Sequence, residues 1–235
     1  MSDKPEIIVE GTYNYLDHEH NYAQENFKML QFFEKQTYQF RSEVLARNDM
    51  GEFLKVLVNL DLNSQFFPTS MRVEKSQGRK YSLETFSTEH MEFKYKFQNK
   101  EKEQDHQKVW NARNYLTSPA SCTSTLFSLT KKWDPTGRTP VTLVSSANQW
   151  DYEGPPQEKN VFVEYKTSDV SKVSIQGTDY VASHLAVYEN DSSSMSIEEP
   201  VNFFINKQYG FPYRIESGTR KIELANLKIH FQTLK

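Results

Sequence analysis

Apolar and polar positions alternate with a period of two through much of the chain, the mark of half-buried β-strands. The pattern is cleanest at 91–97, where Met91, Phe93, Tyr95 and Phe97 are interleaved with Glu92, Lys94 and Lys96. It recurs at 37–46: Tyr38, Phe40, Ser42, Val44 and Ala46 share one face, and Gln39, Arg41, Glu43 and Leu45 the other. From Asn160 to Lys235 the chain reads as short alternating segments separated by turn residues, the signature of an antiparallel meander.

Further strands are predicted over 6–16, 52–60, 66–75, 80–87 and 139–144. Gly11 marks a bulge or a close approach inside the first of them. The β-branched Val56 and Val58 favour strand over helix for 52–60. Asn48-Asp49-Met50-Gly51 and Gln77-Gly78-Arg79 are turn signals. The polar run 17–26 predicts a loop or short turn, and the mixed-charge run 100–108 a solvated connector; 107–116 stays open between strand and loop. One helix is predicted over 119–129: Ser118 is a capping hydroxyl, Pro119 takes the first helical position, and Cys122, Leu126 and Leu129 form one apolar face.

These elements predict a single all-β domain over 1–235, of about ten to twelve antiparallel strands. The meander is expected to curve into a barrel or half-barrel, lipocalin-like or lipoprotein-carrier-like, with one short helix closing it.

Composition agrees with that architecture. Aromatics make up 14% of the chain, with 16 Phe and 13 Tyr, and such rings suit pleated, half-buried surfaces. Hydrophobic residues reach only 37%, which fits a sheet with one wet face or a polar-aromatic cavity. The net charge of −3 comes without a basic stripe, so nucleic acid is not an expected partner. Cys122 is the one cysteine, which rules out an internal disulfide. The opening MSDKPEIIVEG has no apolar core of a signal peptide, and no segment approaches the ~18 apolar residues of a membrane span. A cytoplasmic location is therefore expected. The chain has no phosphate-binding loop, no G-x-G-x-x-G, no nucleophile elbow, no H-E-x-x-H and no CxxC pair. ATP, NAD and zinc-protease chemistry have no support, and no cofactor is expected.

Over 115–226 a longer pattern stands out: a short helix after a Pro, then Val173, Ile175 and Gly177, then Ala182, His184 and Leu185, the apolar Phe203–Ile205, a hinge with Pro212 and Arg214, and the pair Glu223-Leu224. This half of the chain resembles an uncharacterised family of bacterial β-sheet proteins, similar in turn to the half-barrel of periplasmic lipoprotein carriers. The resemblance implies a curved antiparallel sheet wrapped round a helix. The chain is expected to depart from that family in lacking an export signal.

Four constellations could carry chemistry. His18-x-His20 followed by Glu25 has a metal-ligand spacing and looks like the first motif of cupins; without a second motif a mononuclear site would be incomplete, and a polar surface loop is the simpler reading. On 178–189, Tyr180, Ala182, His184, Ala186 and Tyr188 are expected on one face, with His184 as a neutral-pH acid or base flanked by two tyrosines. Tyr209-Gly210-Phe211-Pro212-Tyr213-Arg214 reads as a forced turn carrying rings, with Arg214 placed to pair with a carboxylate or phosphate. Cys122 sits near a helix start, where a thiol can be activated, although a small buried residue is the simpler reading. Trp133 in a turn cluster, and Trp150 and Tyr152 in the loop 148–159, add rings suited to ligand contact.

The expected function is binding of a small hydrophobic or amphipathic molecule in a barrel cavity. Trp133, Trp150, Tyr152, Tyr209, Phe211 and Arg214 are the ligand-contact candidates. The rival is a cofactor-independent lyase or isomerase, of hydratase or cyclase type, in the same cavity. There His184, Tyr180 and Tyr188 would be catalytic, with His90 a further candidate. A third class is an interaction protein using an open sheet edge or the loop 148–159.

Overall fold

In a computed structural model that describes residues 4–47, 51–89, 91–111, 114–130, 137–189 and 199–230, the alternating segments pair into one fifteen-stranded sheet. The first eight strands are β1 (Glu6–Asp17), β2 (His20–Phe32), β3 (Thr37–Arg47), β4 (Phe53–Leu62), β5 (Pro68–Gln77), β6 (Lys80–Ser87), β7 (Glu92–Asn99) and β8 (Glu103–Val109). The remainder are β9 (Asn114–Leu116), β10 (Arg138–Ser145), β11 (Gln157–Ile175), β12 (Thr178–Glu189), β13 (Val201–Ile205), β14 (Pro212–Ser217) and β15 (Arg220–Ile229). The order across the sheet is β8-β7-β6-β5-β4-β3-β2-β1-β15-β14-β13-β12-β11-β10-β9, so β1 lies in the middle, between β2 and the last strand. The short β9–β10 ladder is parallel; the other ladders are antiparallel.

Chain length dictates the curvature. β8 and β9 are the outermost strands, yet only residues 110–113 link them. A flat sheet of this width would hold its edges roughly 65 Å apart at about 4.8 Å per strand. The link spans at most about 18 Å. The sheet therefore rolls into an open barrel. Its edges approach through side chains: Lys108 Nζ on β8 lies 2.7 Å from Glu158 Oε1, which also accepts Asn114 Nδ2 at 2.9 Å. Among the described residues no ladder joins the two edges.

The inward faces supply the core. Tyr13, Phe27, Phe40, Leu60, Phe93 and Phe97 are all buried, each from an inward position of its strand. Two unpaired stretches fill the space inside. One follows β9 and brings Ala120, Cys122, Leu126 and Phe127 into the core. The other, 146–156, seats Asn148 against the inner ends of β5–β7. Rings and aliphatic side chains share this core, and each that is fully buried is worth about 1.5–3 kcal/mol relative to exposure.

The expected curved antiparallel meander is thus present, in fifteen strands rather than ten to twelve, with four local differences. The helical segment is two 3-10 turns, Ser121–Thr123 and Leu126–Leu129, rather than one continuous helix. Most of the run read as a loop over 17–26 is strand: β2 begins at His20. The charged run 100–108 contributes edge strand β8, most of whose residues are exposed. Met91 leaves the face of Phe93, Tyr95 and Phe97, because it sits in the preceding turn with φ 63° and is 65% exposed.

Candidate functional site

Glu25 is a carboxyl group with no exposure at all. It occupies an inward position on β2 between Ala23 and Phe27, where alternation would place an apolar side chain. Four donors surround it. Tyr15 Oη donates to Oε2 at 2.5 Å and Ser42 Oγ to Oε1 at 2.8 Å. The backbone N–H groups of Ser121 and Cys122 donate at 2.8 and 3.2 Å. With its proton committed to Glu25, Tyr15 accepts from Ser121 Oγ at 2.6 Å. A buried carboxyl survives when its lone pairs are filled in this way. Burial, and then the neighbouring Glu25 charge, push the Tyr15 phenol and the Cys122 thiol well above their ordinary ranges. The thiol is not activated, and the constellation fastens the 118–130 stretch to the sheet.

A second buried carboxyl, Glu84, fastens the 146–156 stretch. It accepts Lys75 Nζ at 2.9 Å and Tyr95 Oη at 2.7 Å. Asn148 donates to Tyr95 Oη at 2.7 Å, while its own carbonyl accepts Lys75 Nζ at 2.6 Å.

The expected catalytic trio does not converge. Tyr180 turns inward and packs on Tyr213, with ring centroids 5.3 Å apart. His184 and Tyr188 face outward. His184 stacks on Phe204 at 4.7 Å and shares a 3.0 Å hydrogen bond with Asn202 Oδ1. Tyr188 Oη donates to Glu164 at 3.0 Å beneath the Arg138 guanidinium. The register of β11 against β12 shifts between Lys166 and Ser171, which splits the strand into stretches that present different faces. His90 lies outside the described residues.

The expected ligand contacts are dispersed as well. Phe211 is fully buried against Phe27 and Tyr213, and Tyr209 stacks on it. Arg214 lies over Phe204, its guanidinium carbon 4.3 Å from the ring centre, on the outer face. Tyr152 packs on Phe97, and Trp150 is approached by Lys80, both at the far side of the barrel near β6 and β7. Trp133 lies outside the described residues. His18 and His20 are exposed at the β1–β2 turn, whereas Glu25 points into the core, so the three do not form one ligand set.

The concavity that register does assemble lies on the outer face, over β15, β1, β2, β3 and β4. It has a volume of about 560 Å³. Gly11, Ser42 and Leu57 line it together with the long side chains of Lys28 and Arg41. Pairing sets its polar order: Lys228 faces Glu10, Glu10 faces Lys28, Lys28 faces Arg41 and Arg41 faces Asn59. The Glu10 carboxyl is held below its usual range by the hydrogen bond from His230, against the opposing pull of burial, with Lys228 and Lys28 adding. Gly11 lets β15 close over β1: a Cβ there would lie 2.8 Å from the Asn226 carbonyl oxygen and 2.9 Å from Phe27. No single stretch of sequence announces this site, because its residues come from five strands and meet only through register.

No helix among the described residues is long and apolar enough to cross a membrane. No protein-family model matches the sequence, and no curated protein matches it either. Two solved structures are similar to it to different degrees. A DUF1089 family protein from Pseudomonas aeruginosa is 10% identical, with 74% of this chain and 82% of that one covered and a TM-score of 0.48. A beta-barrel-like protein of domain of unknown function DUF1849 from Brucella abortus covers 96% of this chain and 98% of its own, at 11% identity and a TM-score of 0.56, a likeness of fold alone.

Proposed function

We propose that this protein binds a small amphipathic molecule, and that the ligand lies in the outer concavity over β15 and β1–β4 rather than inside the barrel. The observation that carries this reading is the concavity itself: about 560 Å³, the size of a small-ligand site, lined by both apolar and polar residues. The barrel interior is occupied by the chain's own Leu126, Phe127 and Phe211. The catalytic alternative has less support, since none of Tyr180, His184 and Tyr188 lines the concavity.

The test is calorimetric titration with decyl-chain amphiphiles below their micellar concentrations, using wild type and Leu57→Asn. Saturable binding that Leu57→Asn weakens is expected. Absence of saturable binding for every head group, or binding indifferent to Leu57→Asn, overturns the reading.

A further inference from the structure

We propose that Lys28 and Arg41 form an anion clamp, and that the molecule bound in the outer concavity carries a carboxylate or phosphate head on a single apolar chain. This rests on the binding reading above and names the ligand's chemistry. Lys28 and Arg41 stand directly opposite each other on neighbouring strands. Like charges in that relation repel and cost the sheet stability unless something lies between them.

The carboxylates nearby are already engaged. Glu10 is shared: its Oε1 is bound by His230 at 3.0 Å and Lys228 at 3.4 Å, and its Oε2 pairs loosely with Lys28 at 3.7 Å. Glu43 is taken by Lys55 at 2.6 Å. Arg41 spends its Nε on a neutral acceptor, Gln39 Oε1, at 2.6 Å, and among the described residues it has no ion pair. Gln39 is fixed in turn by donating to Asp61 at 2.6 Å. The terminal nitrogens of Arg41 therefore remain for an incoming group, in the fork geometry that suits carboxylate and phosphate.

The surroundings define the rest of the ligand. Leu57 and the aliphatic stems of the two cations offer an apolar track beside the charge. Arg41 and Asn59 also line a second concavity of about 610 Å³ over β3–β6. The head thus sits at a junction of two concavities rather than at a closed end.

The experiment titrates wild type, Arg41→Gln and Leu57→Asn with decanoate, decyl glucoside and decyltrimethylammonium. The three share a chain and differ in head charge. Wild type is expected to bind decanoate at least about tenfold more tightly than the neutral or cationic amphiphile, one charge-assisted contact's worth. Arg41→Gln removes that preference and keeps the weaker binding of decyl glucoside, which also serves as its folding control. Equal binding of all three heads, each weakened by Leu57→Asn, overturns the clamp and leaves the broader reading standing. A decanoate preference that survives Arg41→Gln also overturns it. Failure of all three to bind removes both.

Discussion

The carboxyl of Glu25 on β2 accepts the backbone N–H of Ser121 at 2.8 Å, across a sequence separation of 96 residues. It joins the middle of the sheet to the stretch that fills the barrel. Glu25→Ala strands two N–H groups and the hydroxyls of Tyr15 and Ser42 in the core. The expected cost is about 3–5 kcal/mol. Glu25→Gln keeps the shape but places an NH2 where an acceptor is needed, and should cost about 1–3 kcal/mol. Urea unfolding reads both; a Glu25→Ala variant within about 0.5 kcal/mol of wild type would show that the stretch is held by apolar packing alone.

Asn148 is expected to govern one loop rather than the whole fold. Its side chain donates to Tyr95 and to the Gly154 carbonyl, and accepts the Glu153 N–H at 2.6 Å. Asn148→Ala should cost about 1–3 kcal/mol and speed amide exchange over 146–156 ahead of the β1–β4 ladders. Uniform acceleration over the whole chain would contradict that local role.

The buried phenols set an alkaline limit. Tyr13, Tyr15, Tyr95 and Tyr115 are all raised above the ordinary tyrosine range, chiefly by burial. The unfolded chain loses these protons from about pH 10 upward while the folded chain keeps them. Stability is thus fully present below that pH and falls above it, by about 1.4 kcal/mol per pH unit for each such tyrosine. Tyr15→Phe should flatten the slope of stability against pH by one proton's share between about pH 10.5 and 11.5. An unchanged slope would mean that the Tyr15 proton is not coupled to folding. At about pH 8, near an ordinary thiol's pKa, the buried Cys122 should react with a disulfide reagent only on unfolding.

Sequence pattern disclosed the sheet because most strands obey alternation, as β3 and β7 do. It obscured β2 because Glu25 occupies an inward position and Asp17, His18, Glu19 and His20 crowd the turn. It obscured β8 because an edge strand with little inward burial has no pattern to show. Tyr180 and His184 looked like neighbours on one face because alternation assumes an uninterrupted strand, and the shift between Lys166 and Ser171 breaks that assumption. Arg41 was legible on the polar face of its strand. Lys28 was not, because β2 itself was not read, and their opposition depends on how many residues the intervening turn consumes.

Two glycines separate steric from backbone demands, and the difference can be measured. Gly11 lies under the outer concavity, where an added Cβ meets the Asn226 oxygen at 2.8 Å. Its obstacle is a neighbouring backbone that cannot step aside without opening the β1–β15 ladder. Gly177 has φ +78° with nothing within 4 Å, so its obstacle is its own left-handed conformation in the turn between β11 and β12. Gly11→Ala should cost about 1–3 kcal/mol, and Gly177→Ala about 1 kcal/mol. The chemistry of rescue differs too. Asn tolerates the left-handed region, so Gly177→Asn should recover most of the loss, whereas Gly11→Asn should be worse than Gly11→Ala because it adds atoms to a closed contact. Denaturation midpoints of the four variants decide the matter. Recovery at Gly11 by Asn would mean that β15 does not close over β1 as tightly as a 2.8 Å contact requires, and the lining of the concavity would lose its basis.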